Sequence, residues 1–130
     1  MTADQRVLMV RQYKHGIGKM LLELPAGAID PNEDALQCAS RELTEETGYA
    51  GDMELVRSFI TDPTNANTVA HLFFAPLVRK VAPQKLDPTE TIEVELATLD
   101  ELRAYVCDGT IDSVPHVGSI YLMLDQLGKL

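Results

Sequence analysis

Apolar residues alternate with polar ones in some segments of this chain and recur at helical spacing in others. Alternating or β-branched apolar runs are typical of strands, and they predict strands at residues 6–13, 20–24, 53–60, 69–78 and 92–97. Helical spacing predicts helices at residues 35–47, 99–107 and 114–127, and a glycine follows each of the first two. Because the strands surround one early and two late helices, the predicted fold class is a mixed α/β sandwich.

Polar residues and a glycine set the ends of the first predicted helix. The loop at residues 28–34 is rich in Pro, Asn and Asp, and the helix begins near Asp34 or Ala35. Gly48 supplies its stop, because glycine readily adopts the left-handed conformation that ends helices. The predicted buried stripe of this helix consists of Leu36, Ala39 and Leu43.

Three glutamates on this helix, Glu42, Glu45 and Glu46, form an unusual pattern, because like charges one turn apart repel. At 100° per residue they fall within an arc of roughly 100° that flanks the predicted buried stripe. A run of charges that served only solvation would lie on the opposite side of the helix. Hard divalent cations need several carboxylate oxygens that converge on one point. The spacing therefore indicates a metal site, in which Glu42 and Glu46 share one ion and Glu45 reaches a second.

Length, charge and cysteine content narrow the remaining possibilities. The 130 residues predict one domain. A net charge of −9 argues against nucleic acid as a partner, since phosphate backbones need a basic surface. No segment is long enough to cross a bilayer and the start does not resemble a signal peptide, so no membrane partner is expected. Two cysteines are too few for a disulfide framework, which predicts a cytoplasmic location.

Residues 27–49 read GAIDPNEDALQCASRELTEETGY. This segment resembles the signature of the Nudix hydrolase family: Gly, five residues, Glu, seven residues, Arg-Glu, an apolar residue, any residue, Glu-Glu, any residue, Gly and an apolar residue. Every fixed position is matched, with Tyr49 in place of the final aliphatic residue. The resemblance implies the Nudix fold, a mixed β-sheet sandwiched between α-helices.

The same resemblance implies roles for the residues of the signature. Arg41 has two interpretations: an ordinary surface ion pair with Glu45, or a fork that orients a metal-binding carboxylate, which the family favours with Glu33 as partner. Gly27 would allow the loop to approach the site closely. The implied cofactor is Mg²⁺, with Mn²⁺ as an alternative, and its implied ligands are the carbonyl of Ala26 and the side chains of Glu42, Glu45 and Glu46.

Other segments are similar to the ADP-ribose pyrophosphatase branch of the family: VRQYK (10–14), LLELPAGAID (21–30) and HLFFA (71–75). The implied substrate is a nucleoside diphosphate derivative, first of all ADP-ribose, which would give AMP and ribose 5-phosphate. Other nucleotide sugars, dinucleoside polyphosphates and a non-catalytic nucleotide-sensing module stay as alternatives. A homodimer is the assembly that this branch suggests.

The branch also implies residues outside the signature. Glu90 is the candidate general base and Glu93 its competitor, so that the catalytic set comprises Glu90, Glu45 and Arg41. The candidate substrate-binding residues are Arg11, Gln12, Tyr13 and Glu23, although a strand-end surface position is an equal alternative for Arg11 and Tyr13. The chain departs from the branch in two places: only nine residues precede Val10, and Thr68 stands where a glutamate is usual.

Overall fold

The computed structural model describes residues 1–130 and contains seven strands and three helices. The strands are β1 (Val7–Lys14), β2 (Lys19–Glu23), β3 (Tyr49–Ala50), β4 (Glu54–Ile60), β5 (Val69–Phe74), β6 (Arg79–Lys80) and β7 (Ile92–Ala97). The helices are α1 (Ala35–Thr47), α2 (Leu99–Asp108) and α3 (Val114–Gln126). The three predicted helices and four of the five predicted strands are confirmed with ends shifted by at most one residue.

The strand predicted at residues 69–78 is too long, because β5 ends at Phe74. Pro76 follows shortly afterwards, and a proline has no N–H group to donate to a neighbouring strand. The two-residue strands β3 and β6 were not predicted; they pair Tyr49 with Lys80 and Ala50 with Arg79. Such short strands carry no periodicity that a sequence pattern could reveal.

The central sheet has the order β2-β1-β7, and both of its pairings are antiparallel. Val10 on β1 lies between Glu23 of β2 and Val94 of β7. The other strands form two separate antiparallel pairs, β3 with β6 and β4 with β5. The strands thus divide among three hydrogen-bonded groups, and the predicted α/β class is confirmed.

The two faces of the central sheet bury different side chains. One face contributes Val7, Met9 and Leu22 to a core with α2 and α3. The other face contributes Leu8, which packs with Leu43 of α1 and with Val78. Because successive side chains of a strand point to opposite faces, α1 and the α2–α3 pair cover opposite sides of the sheet. This arrangement is the predicted sandwich.

The buried face of α1 differs from the prediction. Its buried residues are Cys38, Leu43, Glu46 and Thr47, whereas Leu36 of the predicted stripe is 44% exposed. The glutamates therefore do not all flank the buried face, because Glu46 belongs to it and is only 3% exposed. Apolar spacing alone missed this, since the preceding loop, and not the sheet alone, covers this side of the helix.

Both predicted ends of α1 are confirmed. The Asp34 side chain accepts the N–H of Gln37, and the Gln37 side chain accepts the N–H of Asp34, which completes a capping box. Gly48 adopts φ 74°, and its N–H donates to the carbonyl of Thr44. None of the three helices combines the length and the apolar character that a membrane crossing needs.

Candidate active site

A cavity of about 210 Å³ lies beside the C-terminal half of α1 and is rich in acidic side chains. The other wall of the cavity is the loop that precedes β7. Five carboxylates line this pocket, together with Lys85, Leu86 and Arg41; the carboxylates belong to Glu42, Glu45, Glu46, Asp87 and Glu90. We call this cavity the acidic pocket.

Arg41 connects the glutamates of α1 to the loop before the helix. Its Nε donates to Oε2 of Glu33 at 3.0 Å, and its Nη2 donates to Oε1 of the same carboxylate at 2.6 Å. Its Nη1 donates to Glu42 at 2.8 Å and to Glu45 at 3.1 Å. Both interpretations of Arg41 therefore correspond to contacts in the structure, the surface pair with Glu45 and the fork on Glu33.

The fork also sets the charge state of Glu33. Hydrogen bonds from the Arg41 guanidinium, and then from the Asp30 backbone N–H, lower the pKa of Glu33 to about 2. The carboxylates around Arg41 in turn raise the pKa of its guanidinium. Both groups are thus charged at neutral pH. The Arg41 guanidinium therefore holds the loop against α1 through two charge-assisted hydrogen bonds to Glu33.

Glu46 is the most deeply buried carboxyl group of the pocket. The backbone N–H of Ala26 donates to its Oε2 at 3.1 Å. Burial raises the pKa of Glu46 to about 7, and the negative charges of Glu42 and Glu90 act in the same direction, although the Ala26 hydrogen bond opposes them. A divalent cation in the pocket would favour the ionised form by offsetting these costs.

Gly27 is required here by a close approach. A Cβ atom at this position would overlap the carboxyl group of Glu42. The loop can therefore lie directly over the Glu42 side chain only because residue 27 has no side chain of its own. The predicted tight approach of Gly27 is present in the structure.

The donor set of the pocket fits a hard divalent cation. One oxygen each of Glu42, Glu45 and Glu46 accepts a hydrogen bond from Arg41 or Ala26, which leaves the second oxygen of each carboxylate without a protein donor. Oxygen ligands of this kind are those that Mg²⁺ and Mn²⁺ prefer. The structure holds no group of three or more His, Cys, Asp or Glu side chains in ligating geometry. Two of the three glutamates, Glu42 and Glu45, are instead hydrogen-bonded to Arg41.

Strand β6 and the loop that follows it dock on the C-terminal turn of α1. Lys80 Nζ donates to the carbonyl of Thr47 at 2.8 Å, Gln84 Nε2 to that of Glu46 at 2.6 Å, and the Lys85 N–H to that of Glu45 at 2.8 Å. These donors satisfy carbonyls that the helix itself leaves unpaired. Sequence reasoning missed Gln84 and Lys85, because only the tertiary fold brings residues 38 to 40 positions away onto the helix end.

The two candidates for the general base lie in different places. Glu90 lines the acidic pocket, and its Oε2 accepts the backbone N–H of Asp87 at 2.8 Å. Glu93 lies on β7 opposite Arg11 and is not among the residues that line the pocket. Of the two, only Glu90 is brought together with the signature glutamates.

The predicted substrate-binding residues of β1 lie outside the acidic pocket. Arg11 shares a sheet face with Met9, on the side of α2 and α3, and its guanidinium forms an ion pair with Glu95. Tyr13 packs edge-on against the ring of His15, and Gln12 accepts a hydrogen bond from Lys14. The structure therefore does not place these three side chains beside the glutamates.

Glu23 is buried and already paired. Its carboxylate lies 2.7 Å from Lys14 Nζ and 3.5 Å from His116 Nε2. The other ring nitrogen of His116 accepts the backbone N–H of Leu24 at 3.3 Å. Glu23 and His116 thus hold the end of β2, three residues before Ala26.

The fold and the site define a class of protein: an α/β sandwich with a carboxylate-rich pocket between a helix and a loop. A family profile described as a NUDIX domain matches residues 1–116. The chain belongs to the Nudix hydrolase family, and ADP-ribose pyrophosphatases are among its relatives.

Two curated relatives and one solved structure illustrate the similarity. The "Methanol dehydrogenase activator" of Bacillus methanolicus is 37% identical over 131 residues, which cover 98% of this chain and 71% of that protein. The "ADP-ribose pyrophosphatase" of Bacillus subtilis (strain 168) is 32% identical over 102 residues, which cover 77% of this chain and 55% of that protein.

The solved structure is described as the "Crystal structure of ADP compounds hydrolase". It matches with a TM-score of 0.85 at 21% identity and covers 98% of this chain and 71% of that one. At this identity the match concerns the fold. The chain thus spans between 55% and 71% of the length of these three proteins.

Proposed function

We propose that this chain is a Mg²⁺-dependent pyrophosphohydrolase, with Mn²⁺ as an alternative cation, that cleaves the diphosphate bond of a nucleoside diphosphate derivative. ADP-ribose is the first candidate substrate, and AMP and ribose 5-phosphate are the corresponding products. The observation that carries the proposal is the acidic pocket, in which Glu90 faces the signature residues Glu42, Glu45 and Glu46.

The side chains of Glu42, Glu45 and Glu46 and the carbonyl of Ala26 are the proposed ligands. When bound, the cation supplies charge neutralisation for the diphosphate oxygens and lowers the pKa of a water molecule. Arg41 and Glu33 keep the carboxylates oriented, because the fork between them ties the loop to α1. Lys85 adds the second positive charge of the pocket wall.

Glu90 is the proposed general base. It accepts a proton from a water molecule whose oxygen attacks one phosphorus atom of the diphosphate. The bond from that phosphorus to the bridging oxygen breaks, and the bridging oxygen leaves on the other phosphate product. A carboxylate in this role is expected to contribute a rate factor of about 100 or more.

The choice of ADP-ribose rests on relatives and not on a pocket for a base. The Bacillus subtilis relative is called an ADP-ribose pyrophosphatase, and Arg11, Gln12, Tyr13 and Glu23 stay candidates for substrate contacts. Hydrolysis of another nucleotide sugar or of a dinucleoside polyphosphate is the alternative within the enzyme class. A non-catalytic nucleotide-sensing module is the alternative outside it, against which the intact signature counts.

The proposal also includes a cytoplasmic location and a homodimer. The two cysteines do not pair: Cys38 is buried and Cys107 is exposed, and both thiols are free. Burial raises the pKa of Cys38 to about 11, so its thiol stays protonated at neutral pH. A nucleic-acid partner is not expected, because the net charge is −9.

A substrate panel tests the proposed function. The purified chain is incubated with Mg²⁺ or Mn²⁺ and with ADP-ribose, other nucleotide sugars or dinucleoside polyphosphates, and phosphate release is measured after phosphatase treatment. We expect the highest kcat/KM for ADP-ribose. Faster turnover of another member would reassign the substrate, and no turnover of any member would favour the sensing module.

The Glu90→Gln variant tests the general base. We expect kcat to fall by about 100-fold or more while the affinity for Mn²⁺, measured by calorimetry, stays within about threefold of the parent. Glu93→Gln is the matched control and should keep its activity, because Glu93 lies outside the pocket. The opposite result for the pair would move the role to Glu93.

A further inference from the structure

One side-chain amide joins the helix that carries the metal-binding candidates to the strand that follows the candidate base. Gln84 Nε2 donates to the carbonyl of Glu46 at 2.6 Å and to the carbonyl of Ile92 at 3.1 Å. An amide NH₂ group has two hydrogen atoms, and both are used here. Because both partners are carbonyl oxygens, the orientation of the amide follows from the hydrogen-bond network.

The segment that carries Glu90, residues 86–90, makes few hydrogen bonds. Residues 86–90 make one backbone hydrogen bond, from Glu90 to the carbonyl of Asp87, and one side-chain hydrogen bond, from the Asp87 N–H to Glu90. Both bonds stay within the segment, and none reaches another part of the protein. Two prolines, Pro83 and Pro88, lack N–H groups in this region. The position of Glu90 therefore depends on how the two ends of its segment are held.

Gln84 lies next to one end of this segment and binds the strand that follows the other end. On one side it lies next to Lys85, whose N–H is bonded to the carbonyl of Glu45. On the other side it binds Ile92, two residues after Glu90 and at the start of β7. The same amide donates to the backbone carbonyl of Glu46, and the side chain of Glu46 lines the acidic pocket.

We infer that Gln84 is a positioning residue, which sets the separation between Glu90 and the α1 glutamates across the acidic pocket. The inference rests on the proposed function, because it matters for catalysis only if Glu90 acts as the base. Small displacements of a catalytic group are costly: a shift of about 1 Å can lower a rate by about 100-fold. Without both hydrogen bonds, the 86–90 segment keeps the bond from the Lys85 N–H to Glu45 at one end, and the bond from the Tyr13 N–H to Thr91 and the pairing of Ile92 with Gln12 at the other. The distance between Glu90 and α1 is then less closely fixed.

A double-mutant cycle between Gln84 and Glu90 tests this role. For Gln84→Ala we expect kcat to fall by about 10-fold, with KM and the Mn²⁺ affinity within about threefold of the parent. In a Glu90→Gln background the same change should lower kcat by less than about twofold, because the group that Gln84 positions is no longer functional. If Gln84 merely supports the fold, its replacement should lower kcat by the same factor in both backgrounds.

Matched variants define the contribution of the amide. Gln84→Glu keeps the size of the side chain, but a carboxylate has no N–H group to donate to the carbonyls of Glu46 and Ile92. This variant should therefore behave like Gln84→Ala. Gln126→Ala removes an exposed glutamine at the end of α3 and should leave kcat unchanged. Full activity of Gln84→Glu would contradict the inference.

Limited trypsin digestion of the metal-free protein gives a readout that does not need turnover. In the parent, the Lys85 side chain is exposed but the Lys85 N–H is bonded to Glu45, so we expect slow cleavage of the Lys85–Leu86 bond. In Gln84→Ala we expect faster cleavage after Lys85, with cleavage after Lys19 unchanged as an internal reference. Equal cleavage rates after Lys85 in the two proteins would overturn the inference.

The outcomes distinguish a failure of Glu90 as the base from a failure of Gln84 as its positioning residue. If Glu90→Gln turns over normally, the proposed base is wrong and the positioning role of Gln84 is wrong with it. If Glu90→Gln is impaired but Gln84→Ala lowers kcat equally in both backgrounds, the proposed base stands and only the positioning role is overturned.

Discussion

The acidic pocket beside α1 and the C-terminal half of β1, which carries Arg11, are held by different kinds of contact. Arg41, which lines the pocket, binds three glutamates that lie at most eight residues away along the chain. On β1, Arg11 binds Glu95, which lies 84 residues away and on the sheet face that is opposite to α1. The first network follows from helix and loop geometry, whereas the second depends on which strands pair. The comparison shows that the sequence revealed the contacts of Arg41 with Glu33 and Glu45 but not the pairing of Arg11 with Glu95.

The largest expected effect is that of Glu46→Gln in the acidic pocket. Removing this carboxylate should lower kcat/KM by about 100-fold or more, since a charge-stabilising ligand is lost. The free energy of unfolding should stay level or rise, because a buried carboxyl group that resists ionisation is replaced by a neutral amide. Steady-state kinetics with Mg²⁺ and urea unfolding measure the two quantities. Activity within about threefold of the parent would contradict the metal role.

Gly27→Ala tests the close approach of the loop to Glu42. The added Cβ would overlap the Glu42 carboxyl group, so that side chain or the loop must move. We expect kcat/KM to fall by about 10-fold or more, because the ligand set is displaced. Gly16→Ala is the matched control, since nothing lies within 4 Å of a Cβ atom at that position. Equal activity of the two variants would remove Gly27 from the site.

Arg11→Gln tests the other side of the comparison. If Arg11 contacts substrate, KM should rise by about 10-fold while kcat stays constant, as expected for an interaction made equally in the ground and transition states. The half-exposed pair with Glu95 should contribute less than about 1 kcal/mol to stability. An unchanged KM would leave Arg11 with its ion pair to Glu95 alone and would remove it from the candidate substrate-binding residues.

The smallest expected effect concerns pH and His116. Burial, and secondarily the positive charge of Lys14, lower the pKa of His116 below 6.5, although the Glu23 carboxylate opposes them. The neutral ring is also the form whose Nδ1 can accept the Leu24 N–H. Its contribution to stability is therefore present above pH 6.5 and is lost as the pH falls from 6.5 through the lowered folded-state pKa.

The difference between the parent and His116→Asn isolates this contribution. Between about pH 7.5 and about pH 5.5 the parent should lose more free energy of unfolding than the variant, which has no titrating ring at this position. The raised pKa of Glu46 acts in both proteins and cancels in the difference. Parallel stability curves from urea unfolding would show that His116 does not titrate differently in the folded and unfolded states.

Particular residues show how far sequence reasoning reaches here. The ends of α1 at Asp34 and Gly48 were predicted correctly, because capping depends on neighbours within a few residues. The burial of Glu46 was predicted wrongly, since a charged residue gives no sign that a distant loop will cover it. Gln84 was not predicted at all, because a glutamine between a proline and a lysine carries no signal of its partners at Glu46 and Ile92.

The sequence by itself determined the three helices, most of the longer strands, the α/β class and the candidate carboxylates, because periodicity, caps and the spacing of the signature are local properties of the chain. Only the tertiary structure decided which of these groups meet. It brought Glu90 and Gln84 to α1, buried Glu46 under the Ala26 loop and turned Arg11 toward Glu95 on the other face of the sheet. These contacts join residues far apart in the chain, and strand pairing and loop docking establish them together.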